Sequence, residues 1–195
     1  MSAAETVSEG RAVRGASSPI LGMVLFVASE AMFFGALFGA YFTISAAQPV
    51  WPPKSIPIPE INIPAIATAL LVSSSFVLQS GLAAIRRGQV SRLERRLGVT
   101  ILLGAGFLLL QLWDYSRMGF GIHGGVYPSL FYVMTSLHMA HVAGGVVFLS
   151  LVLAQSRTGQ LSMARHDPVE AGAIYWHFVD VVWIGLFTIF YLMAR

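Results

Sequence analysis

The nine residues YWHFVDVVW, Tyr175 to Trp183, put a histidine and a carboxylate into the middle of a long apolar stretch. They lie within residues 171–194, a run long enough to cross a bilayer as a helix. His177 and Asp180 stand three residues apart and share one helical face. Trp176 and Trp183 lie seven apart, two turns along nearly the same face. Ionisable groups at hydrocarbon depth are costly, so they face a bundle interior, a partner or a water-filled path. The rest of the chain has to make that helix tolerable.

Composition agrees with a membrane setting. Of 195 residues, 56% are hydrophobic and only 11% charged, whereas soluble domains carry about a quarter charged residues. Mean hydropathy is +0.72 and the pI 9.6. The apolar residues fall in blocks, which excludes a water-soluble core. The basic balance comes from loop arginines, so no nucleic-acid partner is needed to explain it. With no cysteine, disulfides, thiolate metal sites and cysteine nucleophiles are excluded together. Residues 1–18 are small and polar, include Arg11 and Arg14, and show no signal-peptide pattern.

Working outward, four further apolar runs precede the fifth. Residues 19–47 carry one charge, Glu30, about 11 residues in and so ~16 Å deep. Ala31, Gly35 and Gly39 form a small-residue ladder there, which allows another backbone to approach closely. The connection 48–60 holds five prolines and reads as an extended surface crossing. Residues 62–85 carry Ser73, Ser74, Ser75, Gln79 and Ser80, candidates for hydrogen bonds between helices. The arginine-rich stretch 86–96 then reads as a topology signal. Residues 97–115 end with Gln111 and Asp114 on one face. The following loop has Gly119, Gly121 and Gly124 at GxGxxG spacing, but without a strand before it this is a turn. Residues 127–155 carry a second ladder, Ser136, Ala140 and Gly144, and the pair His138 and His141.

The expected fold is therefore all-α: one membrane domain, 19–195, of five spans. With the N-terminus inside, inner segments hold nine of the twelve Lys and Arg residues and outer segments three. That bias predicts an inside N-terminus and an outside C-terminus. In this arrangement spans four and five are neighbours, and their polar faces can meet at one level.

Three readings of Glu30, His138, His141, His177 and Asp180 stay open at this point. They can form a polar network holding helices in register, a metal or haem site, or a proton or ion pathway. No nucleophile, base and orienting group stand together, so independent catalysis is not expected.

Four stretches resemble subunit III of haem–copper terminal oxidases, the cytochrome c oxidase family: LGMVLFVASEAMFFGALFGAYF, GAGFLLLQLWDY, SLHMAHVAGGVVFL and EAGAIYWHFVDVVWIGLF. The similarity runs from about Ile20 to the C-terminus. The resemblance implies a non-catalytic subunit of a proton-pumping oxidase in a bacterial plasma membrane. It implies no metal in this chain, with haem and copper in partner subunits I and II. It further implies support for the catalytic subunit and its proton uptake, bound phospholipid, and cytochrome c or a respiratory supercomplex as indirect partners. Glu30 matches the family's buried glutamate, and His138, His141, His177 and Asp180 match its polar positions in the last two helices. Asp114 stands where many relatives have glutamate. Many relatives also have two helices ahead of the span that carries the glutamate, so their lipid cleft does not transfer in full. Alternatives are the corresponding quinol oxidase subunit, a nitric-oxide-reductase-associated protein, or a stand-alone proton-coupled transporter. The transporter would be marked by inverted repeats, and no such symmetry is visible.

Overall fold

Five long helices account for nearly all of the computed structural model, which describes residues 18–57 and 59–194. The polar segment expected ahead of the first span, with Arg11 and Arg14, lies outside the described residues apart from Ser18, and so does Arg195. The helices are α1 (Ser18–Ala46), α2 (Asn62–Ile85), α3 (Val90–Arg117), α4 (Val126–Arg157) and α5 (Asp167–Phe187). The last continues into a π-helical turn, Thr188–Leu192. Each is long and apolar enough to cross a membrane, and no strand occurs among the described residues.

Two helices outrun their apolar stretches. α3 begins at Val90, so most of the arginine-rich connection is helical. Val90, Leu93 and Leu97 recur on one face, and the two leucines are fully buried, which anchors these turns whatever the arginines do on the other side. The remaining turn is short because Gly88 takes φ +73°, a left-handed conformation that closes a helix end. α5 begins at Asp167, where a proline and two acids, Asp167 and Glu170, occupy the first turn. Proline suits that position, and the acids face the positive end of the helix dipole.

The hub is α5. It packs against α1, α2 and α4, while α2, α3 and α4 follow one another as antiparallel neighbours. Of the most apolar stretch of α5, 56% is buried, against 6% for α1. α1 is thus an outlying helix that leans mainly on α5, with Phe34 and Tyr41 as its buried anchors. At Gly185 of α5 a Cβ would lie 2.9 Å from Phe38 of α1, so the absent side chain lets that ring settle.

The bulk of α5 is accommodated by glycines on its neighbours. The Trp176 ring fills a slot between α3 and α4. A Cβ at Gly104 would lie 2.7 Å from it, and one at Gly145 2.8 Å. The expected ladder on α4 is one residue away from this slot: Ser136, Ala140 and Gly144 are exposed. The ladder on α1 also faces outward, and a Cβ at Gly35 or Gly39 would meet nothing within 4 Å. Among the described residues the α1 stripe seats no neighbouring helix, while the α4 stripe makes only edge contacts, Ser136 Oγ 3.4 Å from the Tyr115 hydroxyl and Gly144 beside that of Tyr175.

The proline-rich connection is more than a surface crossing. Trp51 turns inward, donates from Nε1 to the Tyr41 hydroxyl at 3.0 Å, and meets Tyr127 edge-on. It closes an aromatic cluster that continues through Phe190 and Phe131. Aromatic rings prefer such edge-to-face contacts, which tie the ends of α1, α4 and α5 together.

Candidate functional site

The polar residues singled out above fall into three separate groups, because each helix turns them toward a different neighbour. The first bridges α1 and α4. Glu30 Oε2 lies 2.9 Å from His141 Nε2, and both side chains are about four-fifths buried. The other imidazole nitrogen, Nδ1, lies 2.8 Å from the Leu137 carbonyl. A carbonyl oxygen only accepts, so Nδ1 carries a hydrogen. One further proton then has two places to sit, on the carboxyl or on Nε2. The pair is either two neutral groups or an ion pair, and moving that proton interconverts them. Tyr175 donates its hydroxyl to the His141 carbonyl at 2.8 Å, and Phe34 lies edge-on against the imidazole. Beside the pair a hollow of about 220 Å³ opens between α1 and α4, lined by Met23, Phe26, Gly144, Phe148 and Tyr175.

The second group joins α5 to α2. Trp176 Nε1 donates to Ser74 Oγ at 2.8 Å, and Trp183 Nε1 donates to Thr68 Oγ1, also at 2.8 Å. Between them the Ser75 hydroxyl donates to Asp180 Oδ2. Asp180 is buried, and its Oδ1 has no partner among the described residues. His177 sits on the exposed edge, with Nε2 3.4 Å from Gln79 Oε1. His177 and Asp180 therefore do share a face, as their spacing requires, and Gln79 and Ser75 of α2 are the partners it meets. The expected meeting with the polar face of α4 does not occur. α4 and α5 are neighbours, but their contact is filled by Trp176, Tyr175 and Gly145.

His138 forms the third group alone. It is fully buried, stacked on Trp183 at 5.1 Å and edge-on to Phe107 at 5.8 Å. Neither ring nitrogen has a hydrogen-bond partner among the described residues. Three residues along, His141 points to a different neighbour, so the two histidines of α4 do not act together.

Near the other end of α3 lies a cluster that spacing alone did not assemble. Tyr191 donates to Asp114 Oδ2 at 3.0 Å, and Gln111 Nε2 lies 3.5 Å from the same hydroxyl. Gln111 and Asp114 were legible as one face, but Tyr191 sits in the π-helical turn, whose extra residue per turn shifts its direction. Among the described residues, no three His, Asp or Glu side chains converge to hold a metal ion.

The family model for cytochrome c oxidase subunit III matches residues 5–195. The chain belongs to that family. Relatives named cytochrome c oxidase subunit 3 agree. One from Thermostichus vulcanus is 38% identical over 177 residues, covering 90% of this chain and 88% of its own. One from Synechocystis sp. is 40% identical over 175 residues, covering 89% and 75%. One from the locust Locusta migratoria is 39% identical over 176 residues, covering 87% and 67%. Membership of the subunit III family makes the chain a multi-pass membrane component of a haem–copper oxidase complex. The Glu30–His141 pair and the α5–α2 seam are the polar features that this component carries into it.

Proposed function

We propose that this chain is a non-catalytic subunit of a proton-pumping cytochrome c oxidase, bracing the catalytic subunit in the membrane and supporting its proton uptake. Haem and copper reside in partner subunits I and II, and cytochrome c is the donor, as the relatives' names suggest. The N-terminus lies on the inner side of a bacterial plasma membrane and the C-terminus outside.

The observation that carries the bracing role is the outward Ala31–Gly35–Gly39 face of α1. Among the described residues nothing covers it, and small residues let a foreign helix approach a backbone closely in lipid, where packing and not water drives association. The Glu30–His141 hydrogen bond, next to that face, places an ionisable pair at hydrocarbon depth near the partner.

Leucine at Gly35 or Gly39 tests the bracing role. The detergent-purified complex should then contain less haem per copy of this chain, read from its visible spectrum. Unchanged haem content would overturn the docking role. Glu30→Ala tests the second role. Oxygen consumption should start normally, since no redox centre is lost, and then decline faster over many turnovers. Immediate total loss would make Glu30 catalytic and the reading wrong. A reporter fused after Arg195 that reads cytoplasmic would reverse the orientation.

A further inference from the structure

Arg92, Arg95 and Arg96 occupy one stripe of α3, and Val99 and Leu102 continue it along the helix. Two hollows of about 210 Å³ each flank the Arg92–Arg96 pair. The first is lined by all three arginines and Val99. The second lies between α2 and α3, where Arg87, Arg92 and Arg96 converge with Ser80 and Gln89. Neither hollow is lined by a carboxylate.

The nearby acids are occupied elsewhere. Glu94 accepts the Ser156 hydroxyl of α4 at 3.1 Å, and Glu170 holds Arg86 at 2.7 Å. Among the described residues, Arg87, Arg92, Arg95 and Arg96 therefore form no salt bridge. Two of them are nonetheless held in place. Arg96 bonds the Ser80 hydroxyl, and Arg92 Nη1 donates to Gln89 Oε1 at 2.9 Å. The stem of Arg96 is seated on α2, since a Cβ at Gly81 would lie 3.1 Å from its own Cβ.

Uncompensated guanidinium groups suit a phosphate, whose oxygens accept their paired N–H donors. The surroundings say which kind. Further along the same two helix faces the surface turns apolar: Val99 is 43% exposed, Leu102 72%, and Phe76, one turn from Ser80, 73%. A soluble anion has no use for that wall, whereas acyl chains do. We infer that the α2–α3 hollow seats the headgroup phosphate of an anionic phospholipid, with its acyl chains along Val99, Leu102 and Phe76. The lipid binds at the arginine-rich end of α2 and α3, away from the α1–α4 hollow.

The test uses the full chain with its co-purifying subunits in detergent, stripped of lipid and titrated with phosphatidylglycerol under native mass spectrometry. Arg87→Gln with Arg92→Gln is the informative variant, because neither side chain bonds another helix. Each lost guanidinium should weaken binding about fivefold, roughly 25-fold for the pair. Arg157→Gln removes a charge near the same end but outside both hollows, and should leave binding unchanged. The inference is overturned if the double variant binds as before, or if Arg157→Gln loses as much as one hollow arginine. Equal binding of phosphatidylcholine would also overturn it. Displacement of the lipid by millimolar inorganic phosphate would instead make this a free-anion site.

Discussion

Substituting alanine for Gly145 is the sharpest probe of how α5 is held. The new methyl carbon would sit 2.8 Å from the Trp176 ring and 3.0 Å from that of Tyr175. Carbon atoms in contact prefer about 3.5–4.0 Å, so one side must yield. Trp176 has nowhere to go: its far edge meets Gly104 at the distances given above, and its Nε1 is tied to Ser74. Overpacking of this kind costs about 1–3 kcal/mol. Gly35→Ala supplies the reference, since a Cβ there meets nothing, and alanine in a helix interior gains about 0.5–1 kcal/mol over glycine. The two variants make the same chemical change on two helices, so their difference isolates the slot. The assay is thermal unfolding in detergent of the chain freed of partner subunits, so that the Gly35 face is open in both variants, and about 2–4 °C per kcal/mol is the scale for a chain of this size. Gly145→Ala should melt below the parent and Gly35→Ala at or slightly above it. In a Trp176→Phe background the smaller ring should relieve most of the Gly145→Ala cost, a coupling that a double-mutant cycle measures. Equal melting of the two alanine variants would refute the seating of Trp176 between α3 and α4.

His138→Phe should be neutral or stabilising, because the ring stack on Trp183 survives while two unpaired buried nitrogens disappear, each of a kind that costs about 1–3 kcal/mol. A clear drop in melting temperature would mean that a partner does hold that imidazole. Ser75→Ala removes the hydroxyl that satisfies Asp180 and should destabilise by about 1–3 kcal/mol. Adding Asp180→Leu should recover much of this, and failure to recover would show the carboxylate is needed for more than register. Trp51→Phe keeps the ring contacts but loses the bond to Tyr41, at a cost of about 0.5–1.5 kcal/mol. Trp51→Ala should cost clearly more in the same melting assay, and equal costs would leave the aromatic cluster without a structural role.

The five helices were legible in the sequence because their lengths follow from how long the chain stays apolar. Their rotation was not. In a bundle meant for lipid, a residue facing outward is as apolar as one facing the core, so the pattern does not say which side is inside. The ladders show the consequence. Ala31, Gly35 and Gly39 have the spacing of an interface and look outward. On α4 the working glycine is Gly145, rotated by about 100° from Gly144. Polar residues carried more information. The α2 serines were identifiable as interhelical donors, but only the three-dimensional arrangement matched Ser75 to Asp180 and Ser74 to Trp176. Glu30 and His141, more than a hundred residues apart in sequence, could be weighed separately but not joined. Arg92 to Arg96 were read as a connection, because charge hid the Leu93 and Leu97 face beneath it.

The slender attachment of α1 has a bearing on biogenesis. This helix leaves the ribosome before any of the four others, yet its main support, α5, is made last. Until then it has little to lean on except lipid or another polypeptide. During that interval the α1 surface is open to whichever membrane neighbour reaches it first.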